Sequence, residues 1–348
     1  MPRRLAVTGP FEAQITHYDD PPLLADQVLV KTEMASGKLG TTLAMFDNRA
    51  FSGQRFDETM RLFVPDDSTP SLPTPEKPWN MGTSGLGTVI EVGRDVTRWK
   101  VGDRVFGVMD IRETNICRAD QLWALGDIHP HLALCIEPAY VAFHCIRESN
   151  VRYGEQVAII GLGAIGLLAV DMARRSGAET IIAIDPLATR RTLAQALGAD
   201  HVLDPGAGDV GEAAHRLTGG AGVDIAIELS GAIAGLSAAI RCTRLAGTVC
   251  SAGFYQSDAQ GLWLGREWHH NRLTMIVPHG CGWGHPPRDY PRWDRARALG
   301  CIAAMMGKGG LSVPTWIDPV IDFEAGAAIF DLMRDAPGGV IKYAVTFP

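Results

Sequence analysis

The stretch Val157 to Asp185, VAIIGLGAIGLLAVDMARRSGAETIIAID, decides the fold. Its apolar run Val157–Ile160 is long enough for a buried strand, and Gly161, Gly163 and Gly166 follow it in the spacing G-x-G-x-x-G. In such a turn the first glycine permits the tight bend, the second lets backbone approach a pyrophosphate, and the third lets a helix pack on the strand. The apolar periodicity of GLLAVDMARRSG then predicts a helix, whose first N–H groups and positive dipole end face the phosphates. A second β-branched run, IIAID, closes on Asp185 at the distance where an acid meets a ribose 2′-hydroxyl. Strand, glycine turn, helix, strand and terminal acid together predict a dinucleotide-binding unit. A carboxylate at Asp185 accepts hydrogen bonds from a ribose diol and repels a 2′-phosphate, which favours NAD over NADP. Arg190 and Arg191 lie just beyond, and a guanidinium there is the feature that would serve a 2′-phosphate instead.

Working outward, residues 146–281 alternate strand-like and helix-like runs: VAIIG, IIAID, HVLD, DIAIELSG, GTVCSAGF and LTMIVP are joined by segments such as ATRRTLAQALG. That alternation predicts an α/β domain with a doubly wound parallel sheet covered on both faces. Residues 3–145 instead carry short strands (QVLVKTEMA, GTVIEVG, KVGDRVFGV) punctuated by glycine and aspartate, and read as mostly β. After residue 290 come a helical run, RARALGCIAAMMGKGG, the segment TWIDPVIDF, a second helical run and a last strand, VIKYAVTF. These return to the first domain, so the expected division is 1–145 with 282–348, and 146–281.

A chain of 348 residues is long enough for two domains and buries about three quarters of its extended surface. Its formal net charge is −7, from 32 basic and 39 acidic residues, and the basic ones are spread along the sequence. No electrostatic footprint for nucleic acid or an anionic membrane follows, and the expected partner is a small molecule. Seven cysteines form no C-x-x-C pair and make no disulfide framework, which fits a reducing cytoplasm. No stretch has the unbroken apolar length that crosses a bilayer, and MPRRLAVTGPFEAQ is followed by no signal-type apolar region.

The chain resembles the medium-chain dehydrogenase/reductase family nearly end to end. The residues that carry the resemblance are GTVIEVGRDVTRWKVGDRVFG at 87–107, IEPAYVAFHCI at 136–146, ALGAD at 196–200, IELSG at 227–231, SAGF at 251–254 and VIKYAVTF at 340–347. The resemblance implies a Rossmann domain, a GroES-like β catalytic domain and a cleft between them. It further implies hydride transfer to or from a nicotinamide. By the same token Ala164 and Ile165 inside the turn, Asp185 and Arg190 face the adenosine side. Ser230-Gly231 and Ala252-Gly253 meet the nicotinamide side, and Lys342 contacts the pyrophosphate. Dimers or tetramers, built through edge strands of the nucleotide domain, are the implied assemblies.

Against the zinc-dependent relatives the chain departs at the metal. Their cysteine in a G-x-C-G-T-D pattern corresponds to Leu39 in Ser36-Gly37-Lys38-Leu39-Gly40-Thr41-Thr42, and their G-H-E triplet to Gly82-Thr83-Ser84. Of the usual ligands Glu137 survives, and one carboxylate does not hold catalytic zinc, which takes three protein ligands. The four-cysteine structural lobe is reduced to Cys117. No zinc is therefore expected, and organic side chains must bear the charge that a Lewis acid would stabilise. Lys38 could hydrogen-bond the substrate oxygen, or be a solvated loop lysine. Thr41 matches the proton-relaying hydroxyl, and Glu137 could be a general base or an N-terminal capping group.

Around residues 47–78 the chain is longer than typical relatives by about twenty residues, a length at which loops are often lids or binding elements. Arg49, Arg55 and Arg61 in it could contact a polar or acidic substrate, or stay in water. HGCGWGH at 279–285 places His279 beside the expected nicotinamide turn as a substrate contact, with a metal site as a remoter reading, and His269-His270 read as surface or interface. The leading expectation is a zinc-independent NAD-dependent dehydrogenase of a secondary alcohol of polyol, sugar or cyclitol type. Three alternatives stay open: an enone or quinone reductase, a dehydrogenase of a hydroxyethyl side chain on a ring pigment, and a non-catalytic nucleotide-binding redox sensor.

Overall fold

The computed structural model describes residues 1–9, 12–38, 53–66, 73–255, 258–278, 290–336 and 338–348. Contacts divide the chain into two units: Met1–Gly126 with Gln256–Asp258 and Ile317–Pro348, and Asp127–Tyr255 with Ala259–Trp316. Among the described residues no helix is long and apolar enough to cross a membrane.

The first unit is built from strands β1 (Arg3–Gly9), β2 (Glu12–His17), β3 (Gln27–Ser36), β4 (Gln54–Asp57), β5 (Leu62–Pro65), β6 (Trp79–Asn80), β7 (Ser84–Val92), β8 (Arg104–Gly107), β9 (Thr114–Arg118) and β10 (Leu122–Ala124). The last two strands of the chain, Ile317–Asp322 and Lys342–Thr346, join them. The principal sheet is centred on β3, which pairs antiparallel with β7, with β9 and with Lys342–Thr346. Alternation in β3 buries Val28, Val30 and Thr32 while Lys31 faces solvent, and beyond the register shift between Thr32 and Met34, Ala35 is buried in a second core. Fully burying such a side chain stabilises by about 1.5–3 kcal/mol for the larger ones. The pairing of Ser36 with Ser84 fixes the end of β3 beside the start of β7.

The second unit contains six strands, all parallel: β11 (Gln156–Ile160), β12 (Thr180–Ile184), β13 (His201–Leu203), β14 (Val223–Glu228), β15 (Thr243–Ser251) and β16 (Thr274–Ile276). Their spatial order is β13-β12-β11-β14-β15-β16. This is the Rossmann order 3-2-1-4-5-6, with the reversal of direction between β11 and β14. Helices Ala164–Arg175, Ala188–Ala196, Val210–Leu217 and Ile233–Cys242 connect them. Their apolar faces and the strand residues form cores such as that of Ala158, Ile160, Ile182, Ala226, Ala239 and Val249. Two further helices, Ile136–Glu148 and Arg295–Gly307, belong to this unit, whereas sequence placed one at a domain seam and the other in the first domain. The physical reason is packing: the 136–148 helix lies against both the 164–175 and the 295–307 helix.

Candidate active site

In open parallel sheets the crevice at the reversal of strand order is where a ligand is received. Here it is flanked by the turn after β11 and the turn after β14. Gly161 has φ +87°, and a side chain on it would meet the Ser230 amide nitrogen at 2.6 Å. A side chain on Gly166 would collide with the Gly161 carbonyl oxygen. Gly163, by contrast, faces open space. The first and third glycines thus bring strand, helix and neighbouring turn together, and the second leaves room for a phosphate. The helix that starts at Ala164 has Gly163 as its cap residue, which offers no side chain to cap it. Ala164 and Ile165 are half-buried there. The turn fits a dinucleotide by its shape and by its donor groups.

Asp185 is 4% exposed at the end of β12. Its Oδ2 accepts the Leu162 N–H at 2.8 Å and its Oδ1 the Leu187 N–H at 2.9 Å, so the acid also anchors the glycine turn. Arg190 Nη1 stands 3.7 Å from Asp185 Oδ2. Arg191 is turned elsewhere: it donates to the Asp185 and Pro186 carbonyls and pairs with Asp204 at 3.1 Å. A carboxylate has about four lone-pair sites, so two backbone bonds are compatible with a ribose diol.

On the opposite side of the crevice the centre is Glu228, which is fully buried at the end of β14. It accepts the Ser230 N–H at 2.7 Å, the Gly231 N–H at 3.3 Å, the Ser230 hydroxyl and the Tyr255 hydroxyl. Ser251 Oγ lies 3.2 Å from the same tyrosine oxygen. A side chain on Gly253 would meet the Gly231 N at 2.5 Å, and one on Gly235 the Glu228 Oε1 at 2.7 Å. The carboxylate therefore ties the Ser230-Gly231 turn to the Ala252-Gly253 turn, and glycines supply the room. Burial, then the neighbouring Glu228 charge, push the Tyr255 phenol up, so it stays protonated and donates. Sequence reading singled out Ser230, Ala252 and Gly253 but missed Glu228 and Tyr255. The available signal was an acid ending the apolar buried run IAIE at 225–228.

Glu137 lies in the first turn of the 136–148 helix and is 7% exposed. In the first unit, the segment after β3 is held by the last strand: Ser36 Oγ donates to the Tyr343 carbonyl at 2.6 Å, and Lys342 Nζ to the Gly37 carbonyl at 3.3 Å. Lys38 follows and is half-buried. Lys342 is itself only 3% exposed, and its expected pyrophosphate contact rests on resemblance alone. Thr83 donates its N–H to the Ser36 carbonyl at 2.9 Å. The Thr83 and Ser84 hydroxyl oxygens are buried with no hydrogen-bond partner among the described residues. Arg55 and Arg61 pair with Asp57 and Glu58 of their own hairpin, at 3.5 and 2.8 Å. His269 and His270 are exposed. Thr41, Arg49 and His279, with Leu39 and the rest of HGCGWGH, lie outside the described residues.

The fold and this crevice define a two-unit dehydrogenase with a Rossmann nucleotide domain. Residues 25–126 match the alcohol dehydrogenase GroES-like domain and residues 164–293 the zinc-binding dehydrogenase domain. The chain is 33% identical over 351 aligned positions to D-guloside 3-dehydrogenase of Escherichia coli K12, covering 99% of this chain and 100% of that one. It is 31% identical to (R,R)-butanediol dehydrogenase of Bacillus subtilis 168 over 57% of this chain and 65% of that one. The solved structure of galactitol-1-phosphate dehydrogenase from Escherichia coli superposes with TM-score 0.78 at 19% identity, covering 99% of both chains. The chain belongs to the medium-chain dehydrogenase/reductase family, and it is an alcohol dehydrogenase-like oxidoreductase.

Zinc fits the described residues poorly. Where the resemblance puts the family's imidazole and carboxylate stand the hydroxyls of Thr83 and Ser84, which are not the nitrogen, thiolate or carboxylate donors that zinc selects. Cys117 sits within β9, paired with Val28 of β3. Among the described residues, no three His, Cys, Asp or Glu side chains form a group that could hold a metal ion.

Proposed function

We propose that this protein is an NAD-dependent dehydrogenase that works without catalytic zinc, on a secondary alcohol of polyol, sugar or cyclitol type. The observation that carries the reading is Asp185, a buried carboxylate fixed by two backbone N–H groups at the end of β12. A negative charge anchored there accepts from a ribose diol and opposes a 2′-phosphate. Arg190 is compensated by that same acid. The substrate class is supported by the relationship to D-guloside 3-dehydrogenase, which spans the whole chain.

When bound, the nicotinamide supplies the hydride acceptor or donor. The chain supplies the rest. The N–H groups at Ala164, Ile165 and Gly166 bind the pyrophosphate. The turns at Ser230 and at Ala252-Gly253, braced by Glu228, present backbone to the nicotinamide half. Lys38 donates a hydrogen bond to the substrate oxygen and stabilises negative charge there, in place of a Lewis acid. Lys342 and Ser36 hold the segment that carries it. Thr41 takes the alcohol proton and passes it on, and Glu137 is the base that can receive it. His279 and Arg49 contact the substrate's further hydroxyl or acidic groups. The chain assembles as a homodimer or homotetramer in the cytoplasm.

Steady-state kinetics with NAD and NADP test the reading on a panel of polyols and sugars. The expected result is a kcat/KM for NAD above that for NADP by about a hundredfold or more, narrowed about tenfold or more in Asp185→Ser. A wild-type preference for NADP would refute it.

A further inference from the structure

A second binding site lies in the nucleotide unit, away from the glycine turn. A cavity of about 530 Å³ opens between the C-terminal ends of the 136–148 and 164–175 helices and the chain around residues 292 and 305. Four arginines line it: Arg147, Arg152, Arg175 and Arg292. Its apolar wall includes Phe143, Met172 and Met305, and among the described residues none that lines it is acidic.

The posture of these guanidinium groups matters. Arg147 lies over the Trp293 ring at 4.0 Å from its centroid, so aromatic stacking contributes to holding it. Arg152 Nε donates to Asn150 Oδ1, a neutral partner, at 2.8 Å. Arg175 Nε pairs with Asp171 at 2.8 Å, while its Nη2 reaches Ser312 Oγ at 3.3 Å. Arginines in a last helical turn offset the negative end of the helix dipole, and this accounts for Arg147 and Arg175 without any ligand. It does not account for Arg152 and Arg292, which lie outside the two helices and converge on the same space. In a chain of net charge −7, four guanidinium groups gathered around one cavity with apolar walls are a concentration of anion-binding donors.

We infer that this cavity binds a small organic anion in which a carboxylate or phosphate group is carried on an apolar body. Forked guanidinium donors match the planar or tetrahedral oxygens of such a head group, and the aromatic and methionine wall takes the body. The volume falls in the range of small-ligand sites. The location gives the site a route to the chemistry. Arg147 and Glu137 sit at opposite ends of one helix, and Arg175 and Gly166 at opposite ends of another, each pair separated by about 15 Å at the helical rise. The bound anion crosslinks the far ends of both helices.

Calorimetric titration of the intact protein with phenyl phosphate, inorganic phosphate and phenol tests the inference, since it sets the two halves of the ligand against each other. Saturable binding of phenyl phosphate is expected, at least about tenfold tighter than inorganic phosphate or phenol. In the double variant Arg152→Ala, Arg292→Ala the affinity falls about tenfold or more, while the dissociation constant for NADH stays within about twofold. Both positions are exposed at loops, so the variant retains its fold; a wild-type thermal midpoint and NADH affinity verify that. Absence of saturable binding, equal affinity for inorganic and phenyl phosphate, or an unchanged affinity in the folded double variant would each overturn the inference.

Discussion

Glu228 is a charged side chain with no exposure to water, and its stability comes from four donors that converge on two oxygens. Removing the charge while keeping the shape exposes what those donors contribute. Glu228→Gln weakens hydrogen bonds of a kind worth about 1.5–3 kcal/mol when one partner is ionised, and introduces N–H groups where acceptors are needed. The thermal midpoint falls by several degrees, and the NADH dissociation constant rises because the turns at Ser230 and Gly253 lose their tie. An unchanged midpoint and affinity would show that the carboxylate does not brace the crevice. Legibility at this scale followed local spacing. Gly161, Gly163, Gly166 and Asp185 were readable because a fixed distance along the chain carries their geometry. Glu228 was not, because its significance depends on Tyr255 and Gly253, which reach it only through the parallel pairing of β14 with β15. Likewise the tie from Lys342 to the Gly37 carbonyl joins residues at opposite ends of the sequence.

Among the elements, the Val210–Leu217 helix shows how one residue sets a boundary. Asp209 caps it by accepting the Glu212 N–H at 3.1 Å, and also pairs with Arg241. The cap hydrogen bond from Glu212, aided by Arg241 and opposed by partial burial, holds the Asp209 carboxyl below its usual range. A carboxylate whose folded pKa is depressed stabilises the fold above its unfolded pKa of about 3.9, and loses that contribution as pH falls through the lower folded value. Asp209→Ala therefore costs about 1 kcal/mol near neutral pH, a drop of about 2–4 °C in midpoint. The gap from wild type closes as pH falls below about 4. A gap that is constant with pH in thermal scans would contradict the charge-based account. The alternation of strands and helices in the nucleotide unit was legible because its period changes with each element. The placement of the 136–148 and 295–307 helices was not. An amphipathic helix announces that it has a buried face, but not which neighbour covers it, and here they cover each other.

At the scale of the whole molecule, family, two-unit construction and Rossmann sheet were readable from signatures spread over the chain. The four arginines around the second cavity looked scattered because positions 147, 152, 175 and 292 are gathered only by helix packing. The proposal to be tested is chemical: that hydride transfer proceeds with Lys38, Thr41 and Glu137 in the place of a divalent ion, with Thr83 and Ser84 standing where the resemblance puts the family's imidazole and carboxylate. One purified sample decides it, with zinc content measured by mass spectrometry alongside NAD-dependent polyol oxidation before and after extended treatment with a chelator. The account predicts zinc well below one equivalent per chain and turnover unaffected by the chelator. Stoichiometric zinc whose removal abolishes turnover, and whose return restores it, would contradict the account.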